Sequence, residues 1–128
     1  MRALLDTCTL IWAIHSTSAL SKLARRVIAD EENEILVSAA SAWEIATKVR
    51  IGRLPEAVRL ESDFIVILNG ADFQQLPVQA EDALRAGRMR STHKDPFDRI
   101  IAAQAIGLDI PVISPDTQLD YFAIQRLW

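Results

Sequence analysis

The chain has 128 residues, 50% of them hydrophobic, with 14 Lys and Arg against 17 Asp and Glu for a formal charge of -3. That length suits one compact domain over residues 1–128 with a real core, and the acidic balance excludes a protein that grips nucleic acid by bulk charge. Cys8 has no second cysteine to pair with, so a reducing compartment is the natural setting. The apolar N-terminal run is broken by Asp6, too early for a signal-peptide core or a bilayer span. A soluble cytoplasmic protein without membrane contact is expected.

Short apolar runs alternate with longer amphipathic ones. "RALLD" (2–6) predicts a buried strand closed by a carboxylate, and "TCTLIWAI" (7–14) continues at helical spacing through Leu10, Ile11 and Ile14. Residues 18–30 place Leu20, Leu23, Ala24, Val27 and Ile28 on one helical face, with Lys22, Arg25 and Arg26 opposite. "EILVS" (34–38) is a second strand, and 39–52 a helix stopped by Gly52. Trp43, beside Glu44, offers a ring on which a base can stack, but its recurrence with Ala39, Ala46 and Val49 favours a core position; Trp12 and Trp128 are expected in packing or an interface. Helix over 61–69, strand over 73–77 and helix over 79–90 follow. "HKDPFDRIIAAQA" (93–105) opens a helix reaching Gly107, "IPVIS" (110–114) is a strand, and a turn or short helix at Asp116 leads to a weak last strand in "AIQRL". Strands joined through helices imply an α/β fold, a mostly parallel sheet with helices on both faces.

In such a sheet ligands bind at the carboxyl ends of the strands. Asp6 ends the first strand and Asp116 follows the strand 110–114, so parallel strands bring both to one edge. Helices starting at that edge carry Glu44, Asp95 and Asp98. The five carboxylates are expected to converge on one rim, with Asp6, Glu44, Asp98 and Asp116 meeting within one coordination sphere. Each also has a local alternative. Asp95, before Pro96, fits a helix cap, and Asp98 complements the dipole. Ser41 and Glu44 match a capping box, Glu44 and Lys48 an i, i+4 pair, and Asp116 can cap the segment after it. Like charges about 4 Å apart repel by about 4 kcal/mol at an effective dielectric of about 20, so a cluster of them takes up protons or a cation. All-oxygen donors suit Mg2+ or Mn2+, and the set lacks the Cys and His spacing of zinc sites, His15 and His93 standing alone. A hard cation at a sheet edge is suited to phosphate chemistry.

These residues resemble a known family. "LLDTCTLIW", "SAASAWEIATKVRIGRL", "HKDPFDRIIAAQA" and "VISPD" are similar, in order and over nearly the whole chain, to the motifs of PIN-domain proteins, in particular VapC-type toxin ribonucleases of toxin–antitoxin pairs. The resemblance implies a three-layer α/β/α sandwich, an Mg2+- or Mn2+-dependent endoribonuclease, a homodimer, and a cognate antitoxin that blocks the site. It assigns Asp6, Glu44, Asp98 and Asp116 to catalysis and metal binding, with Asp95 a less secure ligand. Ser114 stands where Thr or Ser precedes the last acid by two, and Cys8 where a non-ligand His is frequent. Arg85, Arg88, Arg90, Lys94 and Arg99 form a cationic stretch leading to the acids, either a phosphate track for RNA, with Ser114 beside it, or a solvated face. Two other classes compete: a phosphoaspartate signalling or phosphatase-like domain with Asp6 as nucleophile, and a non-catalytic partner-binding module.

Overall fold

The computed structural model describes residues 1–128. Five strands form one sheet: β1 (Arg2–Leu5), β2 (Glu34–Ser38), β3 (Gln74–Leu76), β4 (Val112–Ile113) and β5 (Arg126–Leu127), in the order β3-β2-β1-β4-β5. Every neighbouring pair is parallel, and Leu4 lies opposite Leu36 on one side and Val112 on the other. Parallel pairing demands crossovers, which the helices supply.

The strand period of 2 sorts the core into two faces. Ala3, Leu5, Ile35, Val37 and Ile113 pack with Leu10, Ile45, Leu60 and Leu68. The alternate residues Leu4, Leu36 and Val112 pack with Ile101, Ala102, Ala105, Leu119 and Phe122. The first face is covered by α1 (Thr7–His15), α2 (Lys22–Ala29), α3 (Ala39–Arg50), α4 (Val58–Ser62) and α5 (Phe64–Gly70). The second is covered by α7 (Pro96–Leu108) and the 3-10 helix Thr117–Tyr121, with α6 (Ala80–Arg88) packed outside α7. Both faces of the sheet are therefore buried, as a parallel sheet requires. No helix is long and apolar enough to cross a membrane.

Several boundaries depart from the pattern in the sequence. The run 18–30 divides: a 3-10 helix takes Thr17–Ala19, and α2 starts only after Ser21, whose side chain accepts the Ala24 N–H. The run 61–69 becomes two helices, α4 and α5, broken at Asp63. Ser41 does not cap α3. Ser38, the last residue of β2, does so by accepting the Ala40 N–H, because the helix follows the strand without a loop. Gly52 at φ +75 ends that segment as expected, in a left-handed conformation that costs glycine little.

Candidate active site

Asp6 is the first residue past β1 and the N-cap of α1. One carboxylate oxygen accepts the Thr9 N–H at 2.8 Å and the other accepts the Ser114 hydroxyl. Its residue is only 5% exposed. Burial pushes its carboxyl above the usual range, the bonds from Ser114 and Thr9 oppose that, and the charge of Asp116 adds to the rise. Ser114 Oγ in turn accepts the Asp116 N–H at 3.0 Å, so one buried hydroxyl joins the acid after β1 to the acid after β4. Asp116 also caps the 3-10 helix, accepting the Gln118 N–H at 2.9 Å.

Glu44 is buried within α3 and accepts a hydrogen bond from the Lys48 ammonium one turn on. Burial alone would lower the Lys48 ammonium; Glu44 and the charges of Asp95 and Asp98 outweigh it and hold it above its ordinary value. Next to Asp6, Thr7 donates from Oγ1 to Ser41 Oγ at 3.0 Å, which ties α1 to α3.

Asp95 caps α7, its Oδ1 accepting the N–H groups of Phe97 at 2.9 Å and Asp98 at 3.2 Å. Asp98 lies in the first turn of α7, against His93 Nε2 at 2.8 Å. Its carboxyl is pushed up to about 6, chiefly by burial, against the lowering effect of His93 and with the charges of Asp95 and Asp116 adding to the rise. His93 is therefore not solitary: its ring meets Phe122 edge-on at 5.3 Å, and its carbonyl accepts from Arg99. No spacing rule in the sequence reaches across the loop that brings His93 to Asp98. His15 is exposed at the end of α1.

Asp6 and Asp98 both feel the charge of Asp116, and Asp98 that of Asp95, but the five acids do not meet as tightly as their spacing predicts. No group of three or more His, Cys, Asp or Glu side chains is gathered closely enough to hold a metal ion. The reason is local: Asp6 is turned to Ser114, Glu44 to Lys48, Asp98 to His93, and Asp95 and Asp116 to their own helix starts. The donor chemistry still fits a hard cation. These are carboxylate oxygens, and Asp6 and Asp98 are made harder to ionise by burial and by acidic neighbours. Cys8 beside them is pushed up to about 11, first by burial and then by Asp6, Asp116 and Glu44, which leaves an inert thiol.

The cationic stretch is redirected. Arg99 donates to the carbonyls of Ala86, Met89, Ser91 and His93, so its guanidinium clamps the loop between α6 and α7 instead of facing solvent. Arg85 reaches the Ala103 carbonyl at 3.5 Å and Asp82 at 3.7 Å, and it lies over Gly107. Gly107 is about 13 Å of helix rise from Asp98 at about 1.5 Å per residue, so Arg85 is not on the rim. Arg88 is exposed and, with Arg85, Glu81, Leu84 and Met89, lines a hollow beside α6. Lys94 is exposed between His93 and Asp95, at the rim itself. Trp43 is not core: it is 59% exposed, its ring edge-on to Phe97 at 4.7 Å. Trp12 and Trp128 pack together at 5.9 Å.

Residues 3–125 match the family model of the PIN domain. The chain belongs to the PIN-domain family. Part of this PIN domain, 31 residues, is 58% identical to ribonuclease VapC16 of Mycobacterium tuberculosis, a match spanning 24% of this chain and 22% of that protein. Among solved structures, a chain in VapBC2 from Rickettsia felis bound to a promoter DNA fragment is similar over 100% of this chain and 99% of that one, at TM-score 0.71 and 15% identity. Mycobacterium tuberculosis VapC20, a sarcin-ricin loop cleaving toxin, is similar over 92% of each chain, at TM-score 0.65 and 15% identity. At those identities the likeness is one of fold, and the PIN fold of the VapC proteins is the α/β arrangement described above.

Proposed function

We propose that this PIN domain, spanning residues 1–128, is a divalent-cation-dependent endoribonuclease and the toxin of a toxin–antitoxin pair. The observation that carries the reading is the joined pair Asp6–Ser114–Asp116 across the ends of β1 and β4, with Asp98 and Glu44 on the same rim. Family membership and the likeness to VapC ribonucleases support it. Asp6, Asp98 and Asp116 would hold Mg2+ or Mn2+, with Glu44 holding it or orienting water and Asp95 a secondary donor. A bound cation of this kind would supply Lewis-acid polarisation of a phosphoryl oxygen and a lowered pKa for a bound water.

The chain's own residues prepare that chemistry. Ser114 fixes Asp6 and Asp116 in register, and His93 fixes Asp98. Lys48 answers the rim's negative charge while holding Glu44. Lys94, exposed beside Asp95, would meet an RNA phosphate. A phosphoaspartate nucleophile needs a free, accessible oxygen, and both Asp6 oxygens are bonded in a residue that is almost wholly buried. The partners of this reading are an RNA substrate, an antitoxin protein and, in the cytoplasm, a second copy docked through exposed apolar residues such as Val58, Ile65 and Val66.

The test is cleavage of total RNA by the purified protein. Cutting is expected with Mg2+ or Mn2+, none with chelator, and a loss of at least about 100-fold in Asp6→Asn, on the scale of removing one transition-state contact. Wild-type rates in that variant refute the assignment.

A further inference from the structure

The nuclease reading leaves Trp43 without a task, and its setting is specific. The indole is 59% exposed on α3, one residue before Glu44. Its neighbours along the same face, Ala39 and Ala46, are themselves exposed and too short to cover the ring. Phe97 meets it edge-on, with ring centroids 4.7 Å apart and planes at 70°. Phe97 belongs to the first turn of α7, its N–H is held by Asp95, and Asp98 follows it. The indole is thus anchored to the helical turn that carries two of the rim acids, while the rest of the ring stays open to water.

A large aromatic left in water forgoes the burial that normally holds it in a core. Fixed edge-on by another ring, it offers a rigid flat surface at little cost in ordering. Ala39 borders an apolar hollow with Ala42, Phe64 and Ile65, but the alanines beside the ring are low and leave its face open to a flat ligand. We propose that Trp43, braced by Phe97, is a stacking subsite for the nucleobase next to the scissile phosphodiester. Every base has a π-face, so such a subsite selects unpaired nucleotides more than a particular base. The inference rests on the nuclease reading, but binding tests it separately from cleavage.

The experiment measures fluorescence anisotropy of a labelled single-stranded oligoribonucleotide with the full chain in the Asp6→Asn background, which binds without cutting. Trp43→Ala is expected to weaken binding by about 10- to 100-fold, the scale of one stacked base, and Trp43→Phe by much less. An oligomer of the same length with abasic riboses should bind Trp43→Ala and its Trp43 parent equally. Unchanged oligoribonucleotide binding in Trp43→Ala overturns the proposal, as does an equal loss on the abasic oligomer. Light scattering that shows Trp43→Ala converting a dimer to a monomer also overturns it and makes the ring an interface residue. Absence of RNA cleavage by the wild-type chain with Mg2+ or Mn2+ would sink the nuclease reading instead. Trp43→Ala binding like its parent, in a protein that Asp6→Asn inactivates, sinks the subsite alone.

Discussion

Asp98 answers two opposed demands, burial against the fold and a charge fit for a cation. Its carboxyl sits at about 6 in the folded chain, above the ordinary 3.8. The folded state therefore binds the proton more tightly than the unfolded one. The stability this confers is complete below pH 3.8 and is lost as pH rises through about 6. Asp98→Asn removes the dependence. In chelator at pH 7–8 the variant is expected to be more stable than wild type by about 2–3 kcal/mol, the size of a two-unit shift, and the two should converge near pH 4. Thermal melts across pH 4–8 check this; a constant offset would mean that Asp98 does not titrate this way. At this scale the acids were legible because strand ends and helix starts are marked in the sequence. His93 and Trp43 were not. Helical spacing says which residues share a face, and it cannot say that the face of Ala39, Trp43 and Ala46 points outward.

The elements that support the rim are the capped start of α7 and the loop that precedes it. Asp95 does the work of a cap, so Asp95→Ala should cost about 1 kcal/mol while Asp95→Asn, which keeps the acceptor oxygen, should cost a few tenths. Urea midpoints give both values. If Asp95→Asn is as stable as wild type yet loses cleavage, Asp95 is also a ligand. Arg99 holds the loop through four carbonyls, those of Ala86, Met89, Ser91 and His93. Lysine keeps the charge but not the fork of donors, so Arg99→Lys should lower stability by about 2–4 kcal/mol in the same titration. Undiminished stability with weaker RNA binding would return Arg99 to the phosphate track. The helices were legible from apolar periodicity, their ends less so. Ser38 could not be recognised as the cap of α3 because it reads as strand, and the break at Asp63 has no glycine or proline to announce it.

At the scale of the molecule, the alternation of strand and helix was enough to give a parallel sheet, because hairpins cannot join parallel neighbours. The acidic edge followed from that topology. How closely the acids approach did not, because rotamers and hydrogen bonds set that distance. A cation that draws the acids together should reveal itself by linkage. Mg2+ or Mn2+ at about 100 times its dissociation constant should stabilise wild type by about 2.7 kcal/mol, and Asp6→Asn, Asp98→Asn and Asp116→Asn by clearly less; equal shifts in all four would mean that the ion binds elsewhere. The hydroxyl shared by Asp6 and Asp116 belongs to Ser114, 108 positions along the chain from Asp6. A polypeptide still threading out of the ribosome carries Asp6 long before Ser114 and β4 emerge. The growing chain therefore cannot join Asp6 to Asp116 until residue 114 has emerged, so this part of the rim assembles only after most of the sheet has been made.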